Sequence, residues 1–556
     1  MSPKEQRNII YIGAISFVLL YIILPFFYPV NGHDAWIHLN WLDQFTREFR
    51  GGDLYPRWMP ESFFGMGAPA FYYYPPLAYW VSSVISVIAP LSSEAVYHVV
   101  SVSAALCSSR LLYVYMRTIR AEKRTSVVAS VLYLIAPYRF LDIFVRSAFT
   151  EQFALLFLPV LFIAVELSIR DERKWRSLFI FALAWGGLLL SNVPVAVLMI
   201  YCIPIYWIVR SPQLNVKTAL ALFSGALIAL LISAVYLLPA YELLDAVRIN
   251  ELWDIFTRAQ ITGYSFLDGG GKAGAVFLVG MQLLTILAFA LIGFLIATRK
   301  KWRSETQTKK IVNACLAIAI FAQVFQLPKT RILFNALPLL KLLQIPFRLN
   351  IIFAFVFPVV LHFIWNTNEK FVRIWVYTYL ILALGIGAGS YFSYGSTPTD
   401  PFRETGRHDA PEYVTKYATG IPIEVEGRMA QYQFEQLISS SETIGDSIAG
   451  VRIISEATRE IYFASSLEKE ERAIIRKQYF PLWQLHDENG KEYSLTSDSS
   501  ARIFAMLPAE KHTFLLHLNE AKSETAGKVV SLCGLVLLLV SGAFAVRKKT
   551  TSSSQK

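Results

Sequence analysis

The residues best suited to chemistry stand close together. The stretch "GHDAWIH" brings His33, Asp34 and His38 within one turn or two of chain. Asp34 and His38 are four apart and share a face if the segment is helical, and His33 adjoins Asp34. Three readings fit these residue types. A carboxylate beside aromatic side chains can accept the proton of a hydroxyl as a general base. His33, Asp34 and His38 together can hold a metal ion, with a divalent cation such as Mg or Mn in view. Asp34 ahead of "AWIHLNWL" is also a good helix N-cap, although a cap needs neither histidine. Further on, "FYYYPPLAYW" sets Tyr72, Tyr73 and Tyr74 before a double proline. Rings of this kind pack against sugar faces and isoprenoid chains. An interfacial aromatic belt has the same composition, and Tyr79 and Trp80 suit that belt at least as well.

These residues must be held by something, and composition says what. The chain has 556 residues, 54% hydrophobic and 17% charged, with mean hydropathy +0.43. Apolar runs of roughly sixteen to twenty-five residues recur, each long enough or nearly so to cross a bilayer as helix. About twelve spans are expected, at about 9–29, 93–116, 125–140, 152–169, 176–191, 193–209, 218–240, 274–298, 311–327, 349–365, 374–392 and 527–546. The fold class is therefore a polytopic α-helical membrane protein. Basic clusters sit at Arg117–Arg124, Arg170–Arg176, Arg299–Arg303 and Arg547–Lys549. With both termini inside, all of them fall on the cytoplasmic face of an inner, or plasma, membrane. The net charge of +11 is thus a topology signal, and a nucleic-acid partner is not expected. The apolar segment Pro75–Pro90 is short, and counting it as a span would invert everything after it. It is read as an interfacial or re-entrant helix, with a thirteenth span as the alternative.

The same topology leaves long segments outside: about 30–92, Pro137–Glu151, Tyr241–Ala273, Pro328–Arg348 and a tail from about 393 to 526. Function concentrates on loops, so an extracytoplasmic site is expected. The organisation expected is 1–392 as the membrane domain with its working outer loops, 393–526 as an extracytoplasmic β-rich domain, and 527–556 as the last span and a cytoplasmic tail. Within the tail, Asn489–Gly490 between alternating stretches marks a hairpin, and "ARIFAML" and "HTFLLHL" read as further strands. The tail is either a spacer or an acceptor-binding module. The four cysteines all fall in spans and read as packing residues. The N-terminal stretch has no small-residue cleavage site and reads as a retained signal anchor.

"GHDAWIHLNWLDQF", "GGDLYPRW", "FFGMGAPAFYYYPPLAY", "PYRFLDIFVRSAFTEQFA", "LLPAYE" and "LLQIPFRLN" together resemble the successive motifs of bacterial membrane glycosyltransferases of the GT-C superfold. More narrowly, they resemble the YfhO-like group and the membrane proteins labelled as 6-pyruvoyl-tetrahydropterin synthase related, a label that implies no pterin chemistry. The resemblance implies a sugar taken from a polyprenyl-phosphate donor and passed to an extracytoplasmic glycan, lipid or protein acceptor. It implies Asp34 as the catalytic carboxylate. A second acidic residue is implied among Asp142, Glu151 and Glu242, the last of these placed to line the substrate with His33, His38 and Tyr72–Tyr74. "GHD" in place of a DxD pattern leaves the metal open.

Elementary chemistry runs parallel. Displacing a lipid phosphate from an anomeric carbon calls for a base on the acceptor and cations on the leaving group. Arg139, Arg146 and Arg348 can supply the cations, because a planar guanidinium binds two phosphate oxygens. Lys329 and Arg331 read instead as snorkelling residues. A non-catalytic scaffold binding polyprenyl lipids would keep the arginines and aromatics without needing Asp34. A flippase or transporter would call for ionisable residues near the midplane and for internal repeats. The spans as read carry almost no charge, and no repeat is seen.

Overall fold

A computed structural model gives the architecture. It describes residues 3–23, 32, 34–170, 174–249, 272–299, 306–327, 330, 332, 336–364, 369–394, 410–419 and 450–550. His33, Lys329 and Arg331 lie outside the described residues, as does most of the expected loop Tyr241–Ala273.

The chain is a polytopic helical bundle carrying a β-sheet domain before its last helix. Among the described residues, nine helical segments are long and apolar enough to cross a membrane: Pro3–Ile23, Ser93–Thr118, Lys123–Arg146, Phe149–Arg170, Val193–Arg210, Val279–Thr298, Pro346–Ile364, Val372–Gly389 and Lys522–Val546. Val216–Ile232 and Ala234–Glu242 make a tenth if counted as one span bent by 66°. The other two expected spans also form helices, Lys174–Leu189 and Thr306–Val324. Lys174–Leu189, at 16 residues, is about 24 Å long, short of a hydrocarbon core of about 30 Å. Thr306–Val324 opens on the polar run "TQTKK".

The expected outer loop Pro137–Glu151 is not a loop. Residues 137–140 are α-helical, 141–146 form a π-helical turn, and a new helix starts at Phe149. Only Ser147 and Ala148 separate the two segments, with Ser147 in the left-handed region at φ 54°. The charges that suggested a loop are buried and satisfy one another, as the site geometry below shows. This also corrects the reading of nearly charge-free spans. Leu77–Ile88 is a 12-residue helix, about 18 Å long and too short to cross. It packs on the helix Ala35–Arg50 and on Ser93–Thr118, while Val84, Val87 and Ile88 stay exposed.

The tail folds as two antiparallel sheets. In chain order the strands are β1 (Val451–Ala457), β2 (Glu460–Leu467), β3 (Glu471–Gln478), β4 (Trp483–Asp487), β5 (Glu492–Tyr493), β6 (Leu495–Ser497), β7 (Arg502–Leu507) and β8 (Glu510–Leu518). One sheet runs β1-β2-β8-β4-β5 and the other β3-β7-β6. The hairpin at Asn489–Gly490 joins β4 to β5, with Gly490 at φ 78°. Trp483 and Leu485 face inward and Gln484 and His486 outward, as alternation requires.

The sheets do not hang free of the bundle. Trp483 and Phe480 meet Trp58 at 5.5 and 6.0 Å between ring centroids, and Phe480 meets Tyr72 at 5.3 Å. The Gln478 amide donates to the Met66 carbonyl at 2.8 Å. Gly67 fits here because it holds φ 82° and because a Cβ would lie 2.3 Å from the Trp58 indole nitrogen. Arg57, 2% exposed, pairs with Glu524 at 2.9 Å and donates to the Val235 carbonyl at 2.7 Å. Glu524 also accepts from the Ala521 amide at 2.9 Å, the reciprocal contact of a capping box at the start of the last helix.

Candidate active site

Three helix ends and one loop meet at the end of the bundle that carries the long loops. The first contribution is "GHD". The Gly32 amide donates to Ser147 Oγ at 3.0 Å, and the Asp34 amide donates to the Arg146 carbonyl at 2.7 Å. A Cβ on Gly32 would lie 2.2 Å from Ser147 Oγ and 2.8 Å from the Ser147 amide nitrogen. Glycine is therefore what lets the segment dock on the turn between the two buried helices. Asp34 takes the N-cap position of Ala35–Arg50, yet its side chain makes no capping hydrogen bond. Capping does not account for this carboxylate, which is half-buried.

The second contribution is a buried ion network. Arg146 Nη1 donates to Asp142 Oδ1 at 2.6 Å and to Glu151 Oε2 at 2.9 Å. Arg348 Nε donates to that same Glu151 oxygen at 3.0 Å. Tyr138 donates its hydroxyl proton to Glu151 Oε1, and Gln152 Nε2 donates to Asp142 Oδ2 at 2.5 Å. Asp142 and Glu151 are each 1% exposed, Arg146 5% and Arg348 8%. Two carboxylates and two guanidinium groups thus balance in charge, which makes burial at a helix mouth tolerable. Arg348 Nη1 also holds the Leu343 carbonyl at 3.0 Å and Gln344 Oε1 at 2.5 Å. Gln344 has φ 64°, a strained setting for a residue with a Cβ, so the arginine braces its own loop.

The network brings together residues far apart in sequence: Asp34 by its backbone, then Asp142, Arg146, Glu151 and Arg348. Asp142 and Glu151 are the ion-pair partners of the arginines, so their carboxylates are engaged. The bonds described use Nη1 of Arg146 and Nε and Nη1 of Arg348. Among the described residues, Nη2 of each makes none of them. Arg139 stands apart, its guanidinium turned to Ser108 at 2.7 Å and over the Tyr133 ring at 4.3 Å.

Aromatic rings wall the Asp34 side. His38 is 4% exposed and its Nδ1 bonds the Tyr79 hydroxyl at 2.7 Å. Trp41, Tyr74, Tyr79 and Phe149 surround it. Burial pushes the imidazole down to about 4; Asp34 pulls it back up, and Arg146 lowers it further. His38 is therefore neutral at pH 7, not a cationic partner for Asp34. Tyr74 bonds Thr150 Oγ1 at 2.8 Å. Burial raises its phenol, and the charges of Asp34 and Arg348 both act on it. Tyr72 and Tyr73 are buried in packing: Tyr73 donates to the Leu243 carbonyl at 2.6 Å, and Tyr72 lies on Phe480. Glu242 is exposed and accepts from the Ser523 amide at 3.1 Å, so it fastens the start of the last helix. Asn192 caps the helix Val193–Arg210 through Val195 and reaches Thr150 at 3.4 Å.

The buried His38 carries a pH dependence. Its folded pKa lies below its unfolded value near 6.5. The unfolded chain takes up a proton that the folded chain refuses, so stability is full above pH 6.5 and falls as the pH drops toward 4. The expected loss is about 3 kcal/mol. Thermal unfolding in detergent between pH 7 and 4 should show it, and His38→Gln should remove that part of the slope.

Sequence reading missed Tyr138, Gln152 and Gln344 as partners of the charges, and Glu524 as the partner of Arg57. The i,i+4 spacing of Asp142 and Arg146 signals their pair, but nothing local signals Arg348. Among the described residues, no group of three or more His, Cys, Asp or Glu is placed to hold a metal, and His38 Nδ1 is taken by Tyr79. No step is derived through a metal ion.

No protein-family model matches the chain, and no curated protein does. Two solved structures are similar. One is the arabinofuranosyltransferase AftD from Mycobacteria, at TM-score 0.40 and 13% identity over 71% of this chain and 28% of that one. The other is the Archaeoglobus fulgidus oligosaccharyltransferase in its apo form, at TM-score 0.42 and 12% identity over 78% of this chain and 59% of that one. This chain spans less than two thirds of either.

Proposed function

We propose that the chain is a multi-pass membrane glycosyltransferase of the GT-C kind. It moves a sugar from a polyprenyl-phosphate-linked donor to an extracytoplasmic acceptor, with inversion. The observation that carries this reading is the docking of Asp34 on the Arg146 carbonyl, beside two guanidinium groups that share one Glu151 oxygen. In this reading a base and two phosphate-binding cations serve one site, with Tyr74 as a neighbouring ring. The motif resemblance supplies the reaction. The site lies on the extracytoplasmic side, both termini are cytoplasmic, and the β-rich domain around 393–526 covers the acceptor side.

In this reaction Asp34 accepts the proton of the acceptor hydroxyl. The acceptor oxygen bonds to the anomeric carbon as the bond from that carbon to the phosphate oxygen breaks. The electron pair leaves on the lipid phosphate, where Nη2 of Arg146 and of Arg348 donate to it. The guanidinium groups need not leave Glu151 to do so.

Arg348→Lys tests the phosphate role. Lysine keeps the charge and loses the fork. Donor KM is expected to rise by about tenfold, and Tm to fall by a few degrees because the brace on Gln344 weakens. Wild-type use of a polyprenyl-phosphate sugar by Arg348→Ala would reduce this arginine to a loop anchor. A scaffold that binds lipid without catalysis is separated by Asp34→Asn, which would leave such a scaffold's lipid binding and function intact.

A further inference from the structure

We propose that Arg139 and Tyr21 form a binding site for one small monovalent anion of the halide class, buried within the helical bundle. Arginine is charged at any physiological pH, and Arg139 is 0% exposed. Its Nη2 donates to Ser108 Oγ at 2.7 Å and its carbon lies 4.3 Å above the Tyr133 ring. Its Nε and Nη1 are buried without a hydrogen-bond partner. Among the described residues it has no ion pair. The obvious counter-charge is unavailable to it. Asp142, three residues on, gives one oxygen to Arg146 and the other to Gln152.

The ion pairs point the same way: Asp142 and Glu151 pair with Arg146 and Arg348, and none of these pairs includes Arg139. The Tyr21 ring meets that of Phe140, the residue after Arg139, at 5.7 Å between centroids, and its hydroxyl is also buried without a partner. Two arginine nitrogens and a tyrosine hydroxyl are thus buried without partners, and one negative charge would satisfy them. The Ser108 hydroxyl is already committed, accepting from Arg139 and donating to the Ala105 carbonyl at 2.8 Å. Water would supply partners but no charge, and a buried cation needs charge. Size favours a bare ion. Arg139, Ser108, Tyr21 and Tyr133 are none of them more than 4% exposed, which shuts out a phosphoester carrying a lipid tail. Burial also favours weakly hydrated ions, so bromide should bind at least as well as chloride.

The test uses the full chain in detergent. Thermal unfolding is followed at constant ionic strength while gluconate is replaced by chloride or bromide. A saturable rise in Tm with halide is expected for the wild type, and no saturable rise for Arg139→Gln. Tyr21→Phe removes one donor and leaves the cation in place. It should raise the half-saturating halide concentration by about tenfold, and it keeps the test decisive if Arg139→Gln does not fold. Crystals grown in bromide should show one anomalous peak within hydrogen-bond reach of Arg139. A wild type indifferent to halide, an equal halide response in all variants, or water density without a bromide peak would overturn the proposal. None of these readouts depends on sugar transfer, so the glycosyltransferase reading stands or falls separately.

Discussion

Asp34→Asn should leave a folded protein that transfers sugar at least a hundredfold more slowly. A general base typically contributes about 10²–10⁴ in rate, and asparagine cannot take the acceptor's proton. The structure explains why the fold should survive. The Asp34 side chain makes no capping bond, and its contact with Arg146 runs through the backbone amide, which the substitution keeps. Expression and Tm in nanodiscs should stay near wild type. Transfer is followed with a radiolabelled polyprenyl-linked sugar and a membrane extract as acceptor source. A stable mutant with full activity would leave Asp34 without a role in the chemistry.

Glu151→Ala should do the reverse and destroy the fold. Glu151 accepts from Tyr138, Arg146 and Arg348 at 1% exposure. Its removal leaves two guanidinium groups facing each other across an empty site. Breaking a buried pair in this way costs about 3–5 kcal/mol, a large part of a typical total of about 5–15 kcal/mol. The variant should fail to accumulate in membranes or lose several degrees in Tm. Adding Arg348→Met to it should recover part of the loss, because the orphaned charge goes too. Wild-type thermal stability for Glu151→Ala would show that the network is not what holds the bundle mouth together.

In the sequence Asp34 reads as the catalytic carboxylate and Glu151 as a candidate for a second one. That Glu151 is instead the centre of an ion network was not legible, and the reason is physical. Apolar runs report helices directly, because the bilayer demands an unbroken stretch of hydrocarbon side chains. The helices from Pro3–Ile23 to Lys522–Val546 are therefore legible. Pro137–Glu151 was misjudged because Arg139, Asp142, Arg146 and Glu151 look like solvated loop residues when taken singly. Their burial rests on Arg348, some two hundred positions away, and no local pattern encodes that distance. In the tail, the hairpin at Asn489–Gly490 was legible from its turn residues. Strands β1 to β3 were not, since β1 is an exposed edge with little alternation of burial, and charges at Glu468, Lys469, Glu470 and Glu471 break the pattern between β2 and β3. The aromatic cluster at Tyr72–Tyr74 was visible as composition. Which ring faces the site depended on Thr150 and Phe480, again distant in the chain.

The pairing of Arg57 with Glu524 has a consequence for how the molecule comes into being. Arg57 is made 524 − 57 = 467 residues before Glu524. At synthesis rates of roughly 5–20 residues per second, the arginine waits from about twenty seconds to a minute and a half for its counter-charge. Until then the loop that leads to Tyr72–Tyr74 has its cation without the counter-charge of Glu524. A chain stopped short of the last helix would carry every span before it and still lack the pair that fastens this loop. Synthesis of the last helix is thereby built into the geometry as the event that closes this part of the molecule.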